Sequence, residues 1–228
     1  MTNAPAVTSA SALRLVLAAE HLFAVHGIDG VSLRHIAAEA GSANNSAVQY
    51  HFGSKNGLIA AIFLHRLPQI ISERRLLAAR CDFDDIRSRF EAHYLPVLAL
   101  AESTDNHYVS FVEQLHRRQA AFGPYLTDLP EEGIRSSDEF RRDLENLLGE
   151  LDEPLRKMRI AEAQSLCVHA AADRERAVAT GAEVAPFELF VNALFDGVTG
   201  FLSAPASQAT LRRLRGVDDA APHRLRLL

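Results

Sequence analysis

The chain has 228 residues, 48% of them hydrophobic, a net charge of −5 and two cysteines. That length holds one large or two small domains, and two cysteines are too few for a disulfide scaffold, so Cys81 and Cys167 read as free thiols of a reducing cytoplasm. No run of about eighteen apolar residues predicts a membrane span, and the start MTNAPAVTSASA lacks the positive charge and apolar core of a secretion signal, reading instead as a disordered terminus.

The acidic balance is unevenly spread. Residues 1–81 carry seven cations and four anions, which leaves the acidic excess to the remainder. The first 55 residues are neutral, with Arg14, Arg34 and Lys55 against Glu20, Asp29 and Glu39. Any phosphate contact there must lean on backbone amides, helix N-termini and dimerisation.

From Leu13 to His26 the pattern is helical, with Val16, Ala19, Leu22 and Phe23 on one face; Gly27 ends it and residues 28–31 form a turn. Ser32 is a good N-cap for the next helix, although His35 stands where a capping box has Glu or Gln. Leu33, Ile36, Ala37 and Ala40 follow at helical spacing, and Gly41 suits a left-handed helix end. Asn44 or Asn45 can cap a short helix that ends by Gly53, with Ala47, Val48 and Phe52 inward and Ser46, Gln49 and Tyr50 outward. A short helix presenting an amide, a hydroxyl and a phenol, braced by an apolar helix, suits a DNA major groove. Ser54 then caps a long helix with Lys55 in its first turn, a combination that favours a phosphate.

AAEHLFAVHGIDGVSLRHIAAEAG followed by QYHFGSKNGL resembles the DNA-binding domain of the TetR family of transcriptional repressors over about residues 11–63. The matching positions include Phe23, Gly27, Ser32, Ile36, Ala37, Gly41, His51, Phe52, Lys55 and Leu58. Two departures stand out. There is one residue more than usual between Gly41 and Phe52, and Ala12 stands where the family commonly has an Arg, a role that Ser11 or Arg14 could take. Motif and resemblance together give Ser32, Arg34, Asn44, Asn45, Ser46, Gln49, Tyr50, His51, Ser54 and Lys55 as candidate DNA contacts.

The fourth helix is expected to reach about Arg80, with Leu58, Ile62, Phe63 and Leu67 inward and Pro68 kinking or interrupting it. Five more helices and no strand are predicted beyond it. They cover about residues 84–103, 106–122, a stretch capped by Ser136 or Ser137 and ending near Leu151, 153–180 with Pro154 in its first turn, and 186–203. Gly123 and Pro124 end the second of these, and residues 127–135 read as a loop. The Arg-rich tail after Gln208 reads as a ragged helix or disordered.

The last two full helices are apolar on more than one face, which calls for a deep core or a subunit interface. Phe187, Phe190, Val191, Leu194, Val198 and Phe201 form one stripe, and Ala193, Gly197 and Gly200 a strip of small residues. The resemblance implies a four-helix bundle with a twofold mate, so these stripe residues, Gly197, Leu166 and His169 are the predicted dimer interface. Phe90, His93 and Tyr94, then Tyr108, Phe111, Leu115 and His116, with Met158, are the predicted lining of a pocket for an apolar or amphipathic effector. No metal, cofactor or catalytic motif is found: H-E-x-x-H, C-x-x-C and G-x-S-x-G are all missing, His21 and His26 belong to the helix-turn-helix domain, and His65 reads as a core or surface histidine rather than a ligand.

The expectation is therefore an all-α protein. It comprises a disordered start (1–10), a helix-turn-helix domain (11–58), a helical effector and dimerisation domain (59–208) and an Arg-rich tail (209–228). The resemblance implies a cytoplasmic homodimeric repressor, released from a palindromic operator by a small ligand and not acting at a membrane. The alternative is a helical ligand-binding or adaptor protein whose helix-turn-helix does not bind DNA.

Overall fold

The computed structural model describes residues 9–42, 47–117 and 131–214. All regular structure among them is helical: α1 (Ala10–Gly30), α2 (Leu33–Glu39), α3 (Ala47–Phe52), α4 (Lys55–Ala78), α5 (Ile86–Leu100), α6 (Tyr108–His116), α7 (Glu131–Leu147), α8 (Glu153–Ala179), α9 (Phe187–Ser203) and α10 (Gln208–Leu214). The expected terminus before residue 9, the turn at residues 43–46, Gly123, Pro124 and the tail beyond Leu214 lie outside the described residues.

The N-terminal helices form where local chemistry dictates. Ser9, Ser32 and Ser54 cap α1, α2 and α4, their hydroxyls accepting from Ala12 N, His35 N and Gly57 N at 3.0–3.1 Å. Gly27, with φ +72°, breaks α1 one turn before its end, a conformation costly for a side chain. α1 is long and apolar enough to cross a membrane, but 56% of that stretch is buried within the fold, and its partners are α2, α4 and α6.

α4 runs unbroken through Pro68. The proline is exposed and removes one backbone donor without ending the helix, so of the two alternatives, a kink or an interruption, the interruption does not occur. α7 also departs from expectation. It starts at Glu131, inside the predicted loop, and neither Ser136 nor Ser137 caps it. Glu131 and Glu132 occupy its first turn, where the helix dipole favours carboxylates. Ser137 donates back to Gly133 O at 3.1 Å, and Ser136 lies 3.5 Å from Arg74. Gly133, within that predicted loop, is a packing glycine: a Cβ there would meet Leu67 Cδ1 of α4 at 2.7 Å.

One continuous core joins all helices except α10, and several charged residues are buried with it, Glu20, Glu175 and Arg74 among them. Glu20 of α1 is 1% exposed and takes Arg66 of α4 in two bonds of 2.7 and 2.8 Å, while its Oε1 also accepts His107 N at 3.2 Å. Glu175 of α8, equally buried, accepts from Val109 N and Ser110 N in the first turn of α6 at 3.0 and 2.9 Å. Arg74 of α4 donates to His93 O at 2.8 Å.

Breaking the first of these leaves a buried charge. Arg66→Ala is expected to cost about 3 kcal/mol in urea unfolding, because the Glu20 carboxylate stays behind unpaired. Glu20→Gln with Arg66→Met is expected to cost less than the single change.

Burial pushes the Glu175 carboxyl up to about 7 from 4.5, against the pull of the two amides. Its folded-state value lies above its unfolded one. The stability it contributes is therefore complete below about pH 4.5 and lost as the pH rises through about 7. The expected slope approaches about 1.4 kcal/mol per pH unit inside that window, and Glu175→Gln should flatten it in unfolding curves taken from pH 5 to 8.

Candidate nucleic-acid interface

α2 and α3 each bury one side and present the other. Ile36 and Ala37 of α2, and Ala47, Val48 and Phe52 of α3, are buried. On the opposite side of α3, Gln49 is exposed and Tyr50 is 84% exposed, its ring edge-on to His51 at 5.1 Å. His51 itself is half-buried. Arg34 is exposed on α2. Ser32 and Ser54 are exposed too, but their hydroxyl oxygens are engaged in the caps. Asn44, Asn45 and Ser46 lie outside the described residues. Ala12 is buried, whereas Arg14 is exposed two residues further along α1.

Lys55 has a structural contact that the sequence does not reveal. Its ammonium donates to Ile28 O at 2.8 Å, tying the first turn of α4 to the last turn of α1, and partial burial lowers its pKa. Gly57 is the residue that sequence reasoning missed. A Cβ there would lie 2.1 Å from the Phe52 carbonyl oxygen, which is backbone and cannot step aside cheaply. The close approach fixes α3 against α4, with Gly53 (φ +68°) making the turn between them.

The predicted effector-lining residues are brought together in two closed aromatic clusters. Phe63, Tyr108 and Phe111 pack with Phe23 at centroid distances of 5.5–6.3 Å. Phe90, His93 and Tyr94 pack on Phe140, with the His93 ring stacked on it at 4.0 Å and 9°. Leu115 is fully buried, and the His116 Nε2 lies 2.8 Å from Ser165 Oγ, its pKa lowered by burial. Met158 is 46% exposed on α8.

Of these eight residues only His93 lines the open cleft of about 120 Å³ between α4, α5 and α7. α4 supplies Ile71, Arg74, Arg75 and Ala78 to it, α5 supplies Arg89, Ala92 and His93, and α7 supplies Glu132, Arg135, Ser136, Glu139 and Phe140.

The predicted dimer stripe needs a correction. Val191 and Val198, at 7% and 0% exposure, pack with Phe195 and Leu202 into the core of their own chain, so they present no surface. Phe187 and Phe190 are half-buried beneath the Arg174 guanidinium, which lies 5.6 and 4.8 Å from their ring centres. Leu194 is half-buried as well. The open side of α9 is the small-residue strip Ala193, Gly197 and Gly200, with Phe201 and with Leu189, which had not been singled out. On α8, Leu166 is 45% exposed, and His169 is exposed while bound to Glu113. Both sides of α9 are apolar, so composition alone could not tell the core side from the open one.

Among the described residues, no three or more His, Cys, Asp or Glu side chains are grouped to hold a metal ion. Residues 15–62 match the family of bacterial regulatory proteins described as the tetR family. Among solved structures, a transcriptional regulator of Rhodococcus sp. RHA1 is similar, with 23% identity, a TM-score of 0.56, and coverage of 85% of this chain and 96% of that one. A protein of Mesorhizobium loti MAFF303099, described as a candidate TetR-family transcriptional regulator, is 18% identical, with a TM-score of 0.43 and coverage of 86% and 98%. No curated protein matches the sequence.

Gly57→Ala is expected to force α3 away from α4, at a cost of about 2 kcal/mol or more. A melting temperature lowered by about 4–8 °C checks this.

Proposed function

We propose, from the match of residues 15–62 to the tetR family of bacterial regulatory proteins, that this chain acts as a homodimeric repressor whose paired α3 helices read a pseudo-palindromic operator. The observation that carries the reading is α3 itself: Ala47, Val48 and Phe52 anchor it, and Gln49 and Tyr50 stand free on its outer side. Gln49 is the base-reading residue, since its amide can pair bidentately with adenine, a contact worth about 1–3 kcal/mol of discrimination. Tyr50 and His51 meet bases or the adjoining backbone. Arg34 and the first turn of α4, with Ser54 and Lys55, meet phosphates. The reading domain spans residues 11–58 and the regulatory, dimerising body residues 59–208.

A six-residue helix in a neutral domain binds weakly alone, so two copies are required. The exposed strip of α9 with Leu166 of α8 supplies the mate's docking face: Gly197 and Gly200 have open space where a side chain would stand, which lets another backbone approach closely. A ligand bound in the helical body then favours a spacing of the two α3 helices that does not fit the operator.

Gln49→Ala is expected to flatten preference among operator variants, whereas Arg34→Ala lowers affinity for all sequences and reduces the salt slope by about one unit. Fluorescence anisotropy across a salt series separates the two. Uniform loss for Gln49→Ala with preference unchanged removes it from the reading set. Gly197→Arg is expected to yield monomers by light scattering and to lose operator affinity with dimerisation; a stable wild-type monomer at micromolar concentration contradicts the dimer.

A further inference from the structure

The cleft between α4, α5 and α7 is lined by more cations than anions. Arg75 pairs with Glu132 and Arg89 with Asp143. Arg74 and Arg135 have no acidic partner among the described residues, and Glu139 is the one remaining carboxylate on the wall. Arg74 decides the matter. It is 6% exposed, and its contacts, His93 O and Ser136 Oγ, are both uncharged. A guanidinium taken out of water without a counter-charge is costly, and the desolvation is large enough to lower its pKa to about 10. The cleft beside it is open and roomy, since one water needs only about 10–15 Å³ of such space and about 120 Å³ is present.

We propose that this cleft binds a small organic carboxylate, its charge held by Arg74 and Arg135 and its apolar body lying along Ile71, Ala92 and the stacked His93 and Phe140 rings. A planar carboxylate matches the guanidinium fork in two parallel bonds. The apolar walls disfavour strongly hydrated phosphate. On the repressor reading, this carboxylate is also the effector, because Arg74 stands on α4, the helix whose first turn braces α3; that second half rests on the DNA-binding proposal, whereas the site itself does not.

The test uses the full chain with benzoate and hexanoate as probes, benzamide and hexanamide as uncharged isosteres, and inorganic phosphate, all at matched ionic strength. Calorimetric titration and melting curves are read together. The carboxylates are expected to bind and to raise the melting temperature with concentration, the amides to do neither, and phosphate to bind at least tenfold more weakly. Arg135→Gln, on an exposed side chain, is expected to fold normally and weaken carboxylate binding at least tenfold. Arg74→Lys keeps the charge but loses the fork, and should weaken it likewise. Equal response to acid and amide, binding of phosphate alone, no binding by either acid, or an unaffected Arg135→Gln overturns the site. Carboxylate bound with operator still held leaves the site standing and overturns its effector role. A protein that binds carboxylate but no DNA overturns the repressor reading alone.

Discussion

The fold turns on the positive end of α6. A helix N-terminus leaves amides without partners and carries a partial positive charge, and α6 has no side-chain cap from His107 to meet them. Carboxylates from two other helices do so instead. Glu20 reaches from α1 to His107 N, and Glu175 from α8 to Val109 N and Ser110 N, while Asn106 takes Tyr108 N. Arg66 of α4 then offsets the charge on Glu20. One buried polar knot thus fastens α1 and α4, which carry the helix-turn-helix, to α6 and α8, which belong to the body. A polar network in a low-dielectric interior is costly unless complete, so these helices are expected to move together.

α4 gives that knot a reach in both directions. Its first turn holds Ile28 O through Lys55 and touches the Phe52 backbone at Gly57, which leaves little slack below α3. Five turns further on, Arg74 stands at the cleft and Gly133 of α7 presses on Leu67. A ligand that prefers one placement of α4 shifts the placement of α3 by as much as its affinities for the two states differ. A hundredfold relief of repression requires about 2.7 kcal/mol of such difference, within the reach of one charge-assisted pair.

What could be read from the sequence was local. Ser32, Ser54, Gly27 and Gly53 act through their immediate neighbours, so these caps and turns were legible, and the apolar stripes of α1 to α4 predicted what is buried except at Leu33 and Ala40, which are half-buried. What could not be read depends on distant partners. Gly133 signals a turn until Leu67 is known to lie against it. The aromatic residues of α5 and α6 suit a pocket or a core equally by composition, and Phe140, which closes one cluster, is far off in sequence. One sequence signal was available and points to three of the buried charges. Glu20 follows Val16 and Ala19 and precedes Phe23; Arg74 ends the series Leu67, Ile70 and Ile71; Glu175 ends Val168, Ala171 and Ala172. A charge at a stripe position of a helix is buried with the stripe, and each of these is at most 6% exposed.

The central claim, that two copies of α3 read DNA together, is tested most directly by selection from a random duplex library with purified wild-type protein at physiological salt. The account predicts enrichment of a two-fold symmetric site whose half-sites lie one helical turn apart, or at a longer spacing set by DNA distortion. A pool that stays unenriched, or one that converges on a single asymmetric half-site, would contradict it.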